Sequence, residues 1–370
     1  MGPRNVGVEE ELLLVDPDDG RALAVAGAVL RDAAVHGQQP VDEALTAELT
    51  RQQIETNTQP CTSLDELGSE LRRWRRAAAQ AAHASGAQVA ALATSPLPVA
   101  PSITPDPRYR EMIDRFGLTA EERLTCGCHI HVEVGSDEEG VAVLDHIRGW
   151  LPTLLALSGN SPFWQGEDTG YASFRSQVWN RWPSAGPTEL FGSAETYHAT
   201  VRTMIESGTL IDEGMIYFDA RLSPNYPTVE VRVADVCLQS DDAVLLAGLT
   251  RALVETASRA WRADQPPAPV RVELLRLAGW RAARSGLDGS LLDPTGQPAP
   301  AQRVVRALIE HITPALEDLG ECDTVQDLTD AVFGRGNGST LQRDICQRGG
   351  SLADVVACAV TRTAGDCGAG

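Results

Sequence analysis

Val6-Gly-Val-Glu-Glu-Glu-Leu-Leu-Leu-Val-Asp16 sets three adjacent glutamates inside an apolar run. In an extended strand, side chains two apart share a face. Glu9 and Glu11 therefore point one way and Glu10 the other. Val6, Val8 and the run from Leu12 to Val15 mark the strand as largely buried. Like charges side by side on a buried strand are costly unless a positive group sits between them. A divalent cation is the simplest neutraliser, because hard ions such as Mg²⁺ take oxygen ligands and bridge to phosphates. The plainer alternative is a strand edge with solvated glutamates.

Moving outward, strand signals recur at 52–58, 88–93, 128–134, 215–221 and 227–234, in β-branched or apolar stretches with alternation or flanking turn residues. In Gln52-Gln-Ile-Glu-Thr-Asn-Thr58, Glu55 shares a face with Gln53 and Asn57, and Glu48 can approach it if the chain turns between them. In Cys126-Gly-Cys-His-Ile-His-Val-Glu-Val134, His129, His131 and Glu133 alternate with Ile130, Val132 and Val134. Neutral imidazole is a good metal ligand. Zinc would want softer ligands beside it. Tyr217-Phe-Asp-Ala-Arg221 and Val229-Glu-Val-Arg-Val233 read as a hairpin joined through Ser223-Pro-Asn-Tyr-Pro227. That pairing would bring Asp219, Arg221, Glu230 and Arg232 onto one surface; two cross-strand ion pairs on a solvated face are the alternative. The long polar loop after Leu157, with three glycines and aromatics, ends at Arg175, its best anion-binding candidate.

Carboxylates with imidazole can hold Mg²⁺, and arginines can steady a transferred phosphoryl group; positioning and electrostatics supply most of such catalysis. No GxxxxGK[ST] or GxGxxG occurs, and Gly159-Asn-Ser-Pro is not GxSxG. A nucleotide would then be held by metals and sheet arginines, not by a glycine-rich loop.

Helical periodicity appears at 64–84, 138–157, 195–206 and 240–263, then at 270–285, 300–318, 323–332, 338–348 and 351–363. The Pro-rich stretch 95–107 reads as an irregular surface loop. Gln265-Pro-Pro-Ala-Pro269 is a break. The expected layout is a catalytic sheet region over 1–264 and an all-helical region over 265–370 packed on it, with a frayed Gly-rich end.

The chain's 370 residues suffice for a sizeable core, and 31 Lys and Arg against 51 Asp and Glu leave a net charge of −20. Such acidity argues against nucleic acid and anionic membranes as partners. No uncharged apolar run reaches the roughly 18 residues of a membrane helix, and no secretory pattern opens the chain. Eight scattered cysteines form no disulfide or zinc framework, so a cytoplasmic location with inert thiols is expected.

Val6-Gly-Val-Glu-Glu-Glu, Cys126-Gly-Cys-His-Ile-His-Val, Leu154-Leu-Ala-Leu-Ser-Gly-Asn-Ser-Pro-Phe-Trp, Asp168-Thr-Gly-Tyr-Ala-Ser-Phe-Arg175 and Pro227-Thr-Val-Glu-Val-Arg-Val-Ala-Asp235 together resemble the carboxylate–amine ligases of the glutamate–cysteine ligase type 2 family. The resemblance runs in order from about residue 5 to 285 and more weakly to 363. It implies an α+β, glutamine-synthetase-like fold, with an antiparallel sheet curved around a Mg·ATP site and flanked by helices. ATP would phosphorylate a carboxylate, that of glutamate in the family's namesake reaction, and an amine such as cysteine would displace phosphate to leave an amide.

By this resemblance Glu9, Glu11, Glu55, His129 and Glu230 match metal-ligand positions, for Mg²⁺ or alternatively Mn²⁺, and Glu48 matches an acidic position ahead of Glu55. Arg232 matches an arginine on the ATP phosphates. His131 is expected beside the nucleotide, behind the ligands. Arg175 and Arg221 are expected on a substrate carboxylate or phosphate. Expected partners are a small carboxylate and an amine, with a homodimer as the assembly. Tyr217-Phe-Asp219 stands where members usually carry two tryptophans before the aspartate, and Gly159 replaces a more usual alanine; both bear on substrate identity. The other readings are a phosphotransferase of guanidino-kinase type, a non-catalytic protein descended from a ligase, and a zinc hydrolase built on His129 and His131.

Overall fold

The computed structural model describes residues 2–36 and 45–365. Its strands are β1 (Val6–Val15), β2 (Leu45–Ala47), β3 (Gln53–Asn57), β4 (Gln88–Ala90), β5 (Gly127–Glu133), β6 (Phe163–Trp164), β7 (Glu167–Asp168), β8 (Ala220–Leu222), β9 (Thr228–Asp235), β10 (Ser290–Leu292) and β11 (Pro298–Pro300). Seven of them form one antiparallel sheet in the order β2-β3-β1-β5-β9-β8, with β4 paired to the far end of β1.

The helices are α1 (Ala26–His36), α2 (Leu64–Ala84), α3 (Pro107–Phe116), α4 (Leu118–Glu121), α5 (Asp137–Ile147), α6 (Leu151–Ser158), α7 (Arg175–Trp179), α8 (Ala194–Glu206), α9 (Ser240–Arg262), α10 (Val272–Ser285), α11 (Ala301–Leu319), α12 (Cys322–Arg335), α13 (Gly338–Gln347) and α14 (Leu352–Ala364). Among the described residues none is long and apolar enough to cross a membrane.

Alternation divides the sheet into two unlike faces. Val6, Val8, Cys128, Ile130, Val132, Val229 and Val231 turn to one side and share a core with Leu67 and Leu71 of α2, Leu144 of α5, and Leu245, Leu249 and Leu253 of α9. Each such side chain contributes about 1.5–3 kcal/mol of burial. The opposite face carries the polar residues. The unbroken run Leu12 to Val15 has its own cause: at that end β1 is covered on both sides by a second core that includes Ala78 and Ala82 of α2, Val29 of α1 and Val356 of α14.

Several expectations change in detail. The helix expected over 138–157 is two, α5 and α6, broken at Arg148-Gly-Trp150. Pro152 is the cause: it lacks an N–H and is tolerated only in a helix's first turn, where it sits in α6. Most of the Pro-rich stretch is irregular, but Pro107 opens α3 behind Asp106, whose side chain caps the Arg108 N–H at 2.8 Å. The strand expected over 215–221 shortens to β8, after a 3₁₀ turn at Glu213–Met215. The expected all-helical C-terminal third needs one correction: β10 and β11 form a hairpin around Asp293, whose side chain accepts from the Thr295 and Gln297 N–H groups. α9 starts at Ser240, and its cap position is Gln239, with no side-chain bond. Cys367 and the Gly-rich end from 366 lie outside the described residues.

Candidate active site

Sheet register assembles the polar face. Glu11 of β1 stands opposite Glu55 of β3. Glu9 stands opposite His129 of β5, His131 opposite Glu230 of β9, and Glu230 opposite Arg221 of β8. Each member therefore has a cross-strand neighbour on the same face, where side chains meet. A bulge interrupts the ladder: Cys128 pairs with Ala234 and Ile130 with Val231, so His129 faces both Arg232 and Val233. An extra residue re-aims side chains locally. Glu10 takes the other face as expected, but not as a solvated group. Its carboxylate is fully buried and accepts from Arg75 of α2 at 2.8 and 2.6 Å.

The result is a cleft of about 310 Å³ whose wall includes Glu9, Glu11, Glu48, Glu55, His129, His131, Arg221, Glu230 and Arg232. Arg221 donates to Glu230 through Nε at 2.7 Å, and Arg232 Nη1 contacts the other Glu230 oxygen. His129 Nδ1 lies 3.2 Å from Glu9 and 3.9 Å from Glu230. His131 Nδ1 meets the Thr228 hydroxyl at 2.9 Å, which orients the ring so that Nε2 stands 3.2 Å from Glu9.

Three overlapping groups have ligand atoms within 4.8 Å of one another: Glu9, His131 and Glu230; Glu9, Glu55 and His129; Glu11, Glu48 and Glu55. The protonation balance fits a cation. Burial opposes the charge of Glu9, yet His129 and His131 hold it well below the usual carboxylate range. Burial likewise opposes Glu230, and Arg232 and Arg221 bring it down to about 2. Glu48 is pushed up by burial and by Glu11, and Glu55 is pushed well up by burial and by Glu48, Glu9 and Glu11. The cleft thus holds more carboxylate than its own cations neutralise. The buried His129 Nε2 has no hydrogen-bond partner and is free to act as a ligand. Oxygen donors with imidazole suit Mg²⁺ or Mn²⁺. No cysteine belongs to these groups among the described residues, which disfavours zinc.

A cation held by these residues would bind with proton linkage. Proton uptake at Glu48 and Glu55 stabilises the metal-free fold below the ordinary glutamate range, and that stabilisation is lost as pH rises through their raised values. A cation at 100 times its Kd is expected to add about 2.7 kcal/mol. The gain should grow as pH rises above the ordinary glutamate range, with protons released on binding. Calorimetry in two buffers of different ionisation heat checks this; equal heats with a pH-independent gain would argue against the site.

Arg175 does not reach the cleft. It is buried beneath the bulge, 4.0 Å from Asp235, and donates to the Arg232 and Val233 carbonyls at 3.4 Å. A Cβ at position 127 would meet its guanidinium, so any larger residue there would have to displace the buried Arg175 side chain. Arg123 is a site residue the sequence reading passed over. Its guanidinium lies 3.7 Å from Glu11 and 3.8 Å from Glu48, and 4.8 Å over the Trp179 ring. Arg108, Tyr109 and Met112 enter the cleft wall from α3, where Arg108 is pinned by Asp212 at 2.6 and 2.9 Å. Asp106-Pro107, a cap followed by proline, was the available signal for that helix. Tyr226, in the β8–β9 turn, overhangs the cleft with its ring edge-on to His131 at 6.1 Å.

The profile of glutamate–cysteine ligase family 2 matches residues 5–358. The chain belongs to this family. Membership makes it an ATP-dependent carbon–nitrogen ligase, as its sequence motifs anticipate. "Putative glutamate--cysteine ligase 2-1" of Streptomyces avermitilis is 54% identical over 98% of this chain and 100% of its own. A family member of like name from Streptomyces coelicolor is 54% identical over 97% of this chain and 99% of its own. In three dimensions the chain is similar to the glutamate–cysteine ligase of Francisella tularensis, solved in complex with AMP, at TM-score 0.70 and 13% identity, covering 98% of this chain and 89% of that one. It is also similar, at TM-score 0.55 and 14% identity, to the Pup ligase PafA, over 96% of this chain and 71% of that one. At such identities the likeness establishes the fold class, which is the α+β antiparallel-sheet architecture expected from the motifs.

Proposed function

We propose that this family member joins an amino-acid-like carboxylate to an amine through an acyl phosphate, with glutamate as the candidate acid and cysteine or another amine as its partner. The observation that supports this most is the register bringing Glu9, Glu11, Glu55, His129 and Glu230 into one cleft beside Arg221 and Arg232. These five ligands would hold Mg²⁺, or Mn²⁺, which supplies Lewis-acid neutralisation of phosphate charge. Arg221 and Arg232 converge on Glu230, and so their guanidinium groups are held where charge spreads over the transferred phosphoryl oxygens. Arg123 holds Glu11 and Glu48 in place from the cleft's far side. His131, oriented by Thr228, positions Glu9.

The test is ADP release over panels of acids and amines, with product masses measured. ADP release should require Mg²⁺, an acid and an amine together, and the new mass should be an amide. A stable phosphorylated guanidine as end product would replace this reading with the kinase one.

A further inference from the structure

Around β8 and β9 four charged residues are neighbours: Arg221, Glu230 and Arg232 line the cleft, and Asp219 stands one residue ahead of β8. Arg221 is opposite Glu230, and one step further the Asp219 carbonyl accepts from the Arg232 N–H at 2.9 Å. Three of the four pair among themselves, because Arg232 turns to Glu230 rather than to Asp219. The Asp219 carboxylate is left without a hydrogen bond or an ion pair within 4 Å among the described residues. Burial pushes it up to about 7, against the opposing pull of the Arg175 guanidinium. It opens onto a second cavity of about 450 Å³, whose wall includes Trp179, Phe218, Asp219, Arg232, Arg276 and Trp280. Trp179 and Arg232 border the first cleft as well, so that pair is common to both walls.

The wall's charges are mostly spent. Arg175 faces Asp235 at 4.0 Å, Arg181 pairs with Glu122 at 2.7 Å, and Arg232 pairs with Glu230. Asp219, which feels Arg175 only beyond ion-pair distance, and the exposed Arg276, which acts on Glu273 in the same way, are the wall's anion and cation with no ion pair within 4 Å among the described residues. Asp219 is the sole carboxylate in the described wall, which holds no His, Cys, Lys or Tyr. Just ahead of β8, it lies two residues, at most about 7 Å of backbone, from Arg221. A group held on Asp219 is therefore within one small molecule's reach of the phosphoryl site.

Resting on the ligase reading, we propose that the second cavity receives the amine substrate, with its ammonium on Asp219 and an anionic group of the same molecule toward Arg276. Asp219 takes one proton from R–NH₃⁺. The freed amine attacks the acyl-phosphate carbonyl; the C–N bond forms and the C–O bond to phosphate breaks, phosphate leaving with the electron pair. The second nitrogen proton goes to the departing phosphate, which leaves as HPO₄²⁻ beside a neutral amide and protonated Asp219.

Two reactions separate this from the ligase reading. With acid and labelled ATP but no amine, positional isotope exchange reports acyl-phosphate formation alone; amide formation reports the amine step. Asp219→Asn is expected to lower kcat/KM for the amine by about 100-fold or more, to leave the ATP KM and the exchange in place, and to remove an acid limb near pH 7 from the wild-type amine profile. Arg276→Ala, at an exposed position, should raise KM for amino-acid amines and not for uncharged alkylamines. A risen ATP KM with an unmoved amine KM would make this the nucleotide's cavity and overturn the proposal. Loss of exchange in folded Asp219→Asn would also overturn it. Absence of exchange in the wild type would remove the ligase reading, and this inference with it.

Discussion

Glutamine in place of Glu230 is expected to lower amine-dependent ADP release by on the order of 10²–10³-fold, the scale of losing one preorganised electrostatic group. Glu230 holds more of the cleft together than any other residue in it. It takes Arg221 at 2.7 Å, contacts Arg232, and lies 3.9 Å from His129. Glutamine keeps the shape but not the charge. Arg232 then loses its anchor, and the proposed metal loses a ligand. The loss should fall on kcat at saturating Mg·ATP, with an accompanying fall in metal affinity. Wild-type turnover in Glu230→Gln would remove both the metal assignment and the arginine clamp.

The second large effect concerns stability. Glu10→Gln is expected to cost about 3 kcal/mol, the low end for breaking a buried ion pair, because it strands Arg75. Arg75 is 1% exposed, and it keeps the Cys237 and Leu238 carbonyls at 2.7 and 3.2 Å, which limits the loss. Urea unfolding measures it, and turnover per folded molecule should be unchanged. Glu9→Gln, one residue away, should do the reverse. Glu9 is 23% exposed at the side chain and lies in the cleft against His129 and His131, so turnover falls while the unfolding midpoint moves little. If Glu10→Gln abolished turnover without shifting the unfolding curve, the division of the two faces would be wrong.

How far the chain could be read follows from what each feature depends on. Alternation in Glu9/Glu11, His129/His131 and Glu230/Arg232 is a local property of an extended backbone, and it assigned those side chains to common faces before any pairing was known. The same holds for α2, where Leu64, Leu67, Leu71 and Trp74 form the buried stripe. Periodicity could not show where α5 stops, because Gly149 and Pro152 break a stripe that stays apolar across the break. Nor could it show that Arg175, at the end of a conspicuous polar loop, is drawn beneath the sheet by Asp235 and the bulge's carbonyls.

Spacing along the chain therefore assigned faces, element types and the ligand inventory, since these rest on backbone geometry within a few residues. Partners came from packing. Register put Glu11 against Glu55 and His131 against Glu230; the bulge set both Arg232 and Val233 against His129; α2 supplied Arg75 to Glu10, and Arg123 came to Glu11 from outside the strands. Such pairings join residues distant in sequence. They form only when inter-strand hydrogen bonds and core burial close the sheet, and a one-residue slip in any strand would turn its charges to the other face.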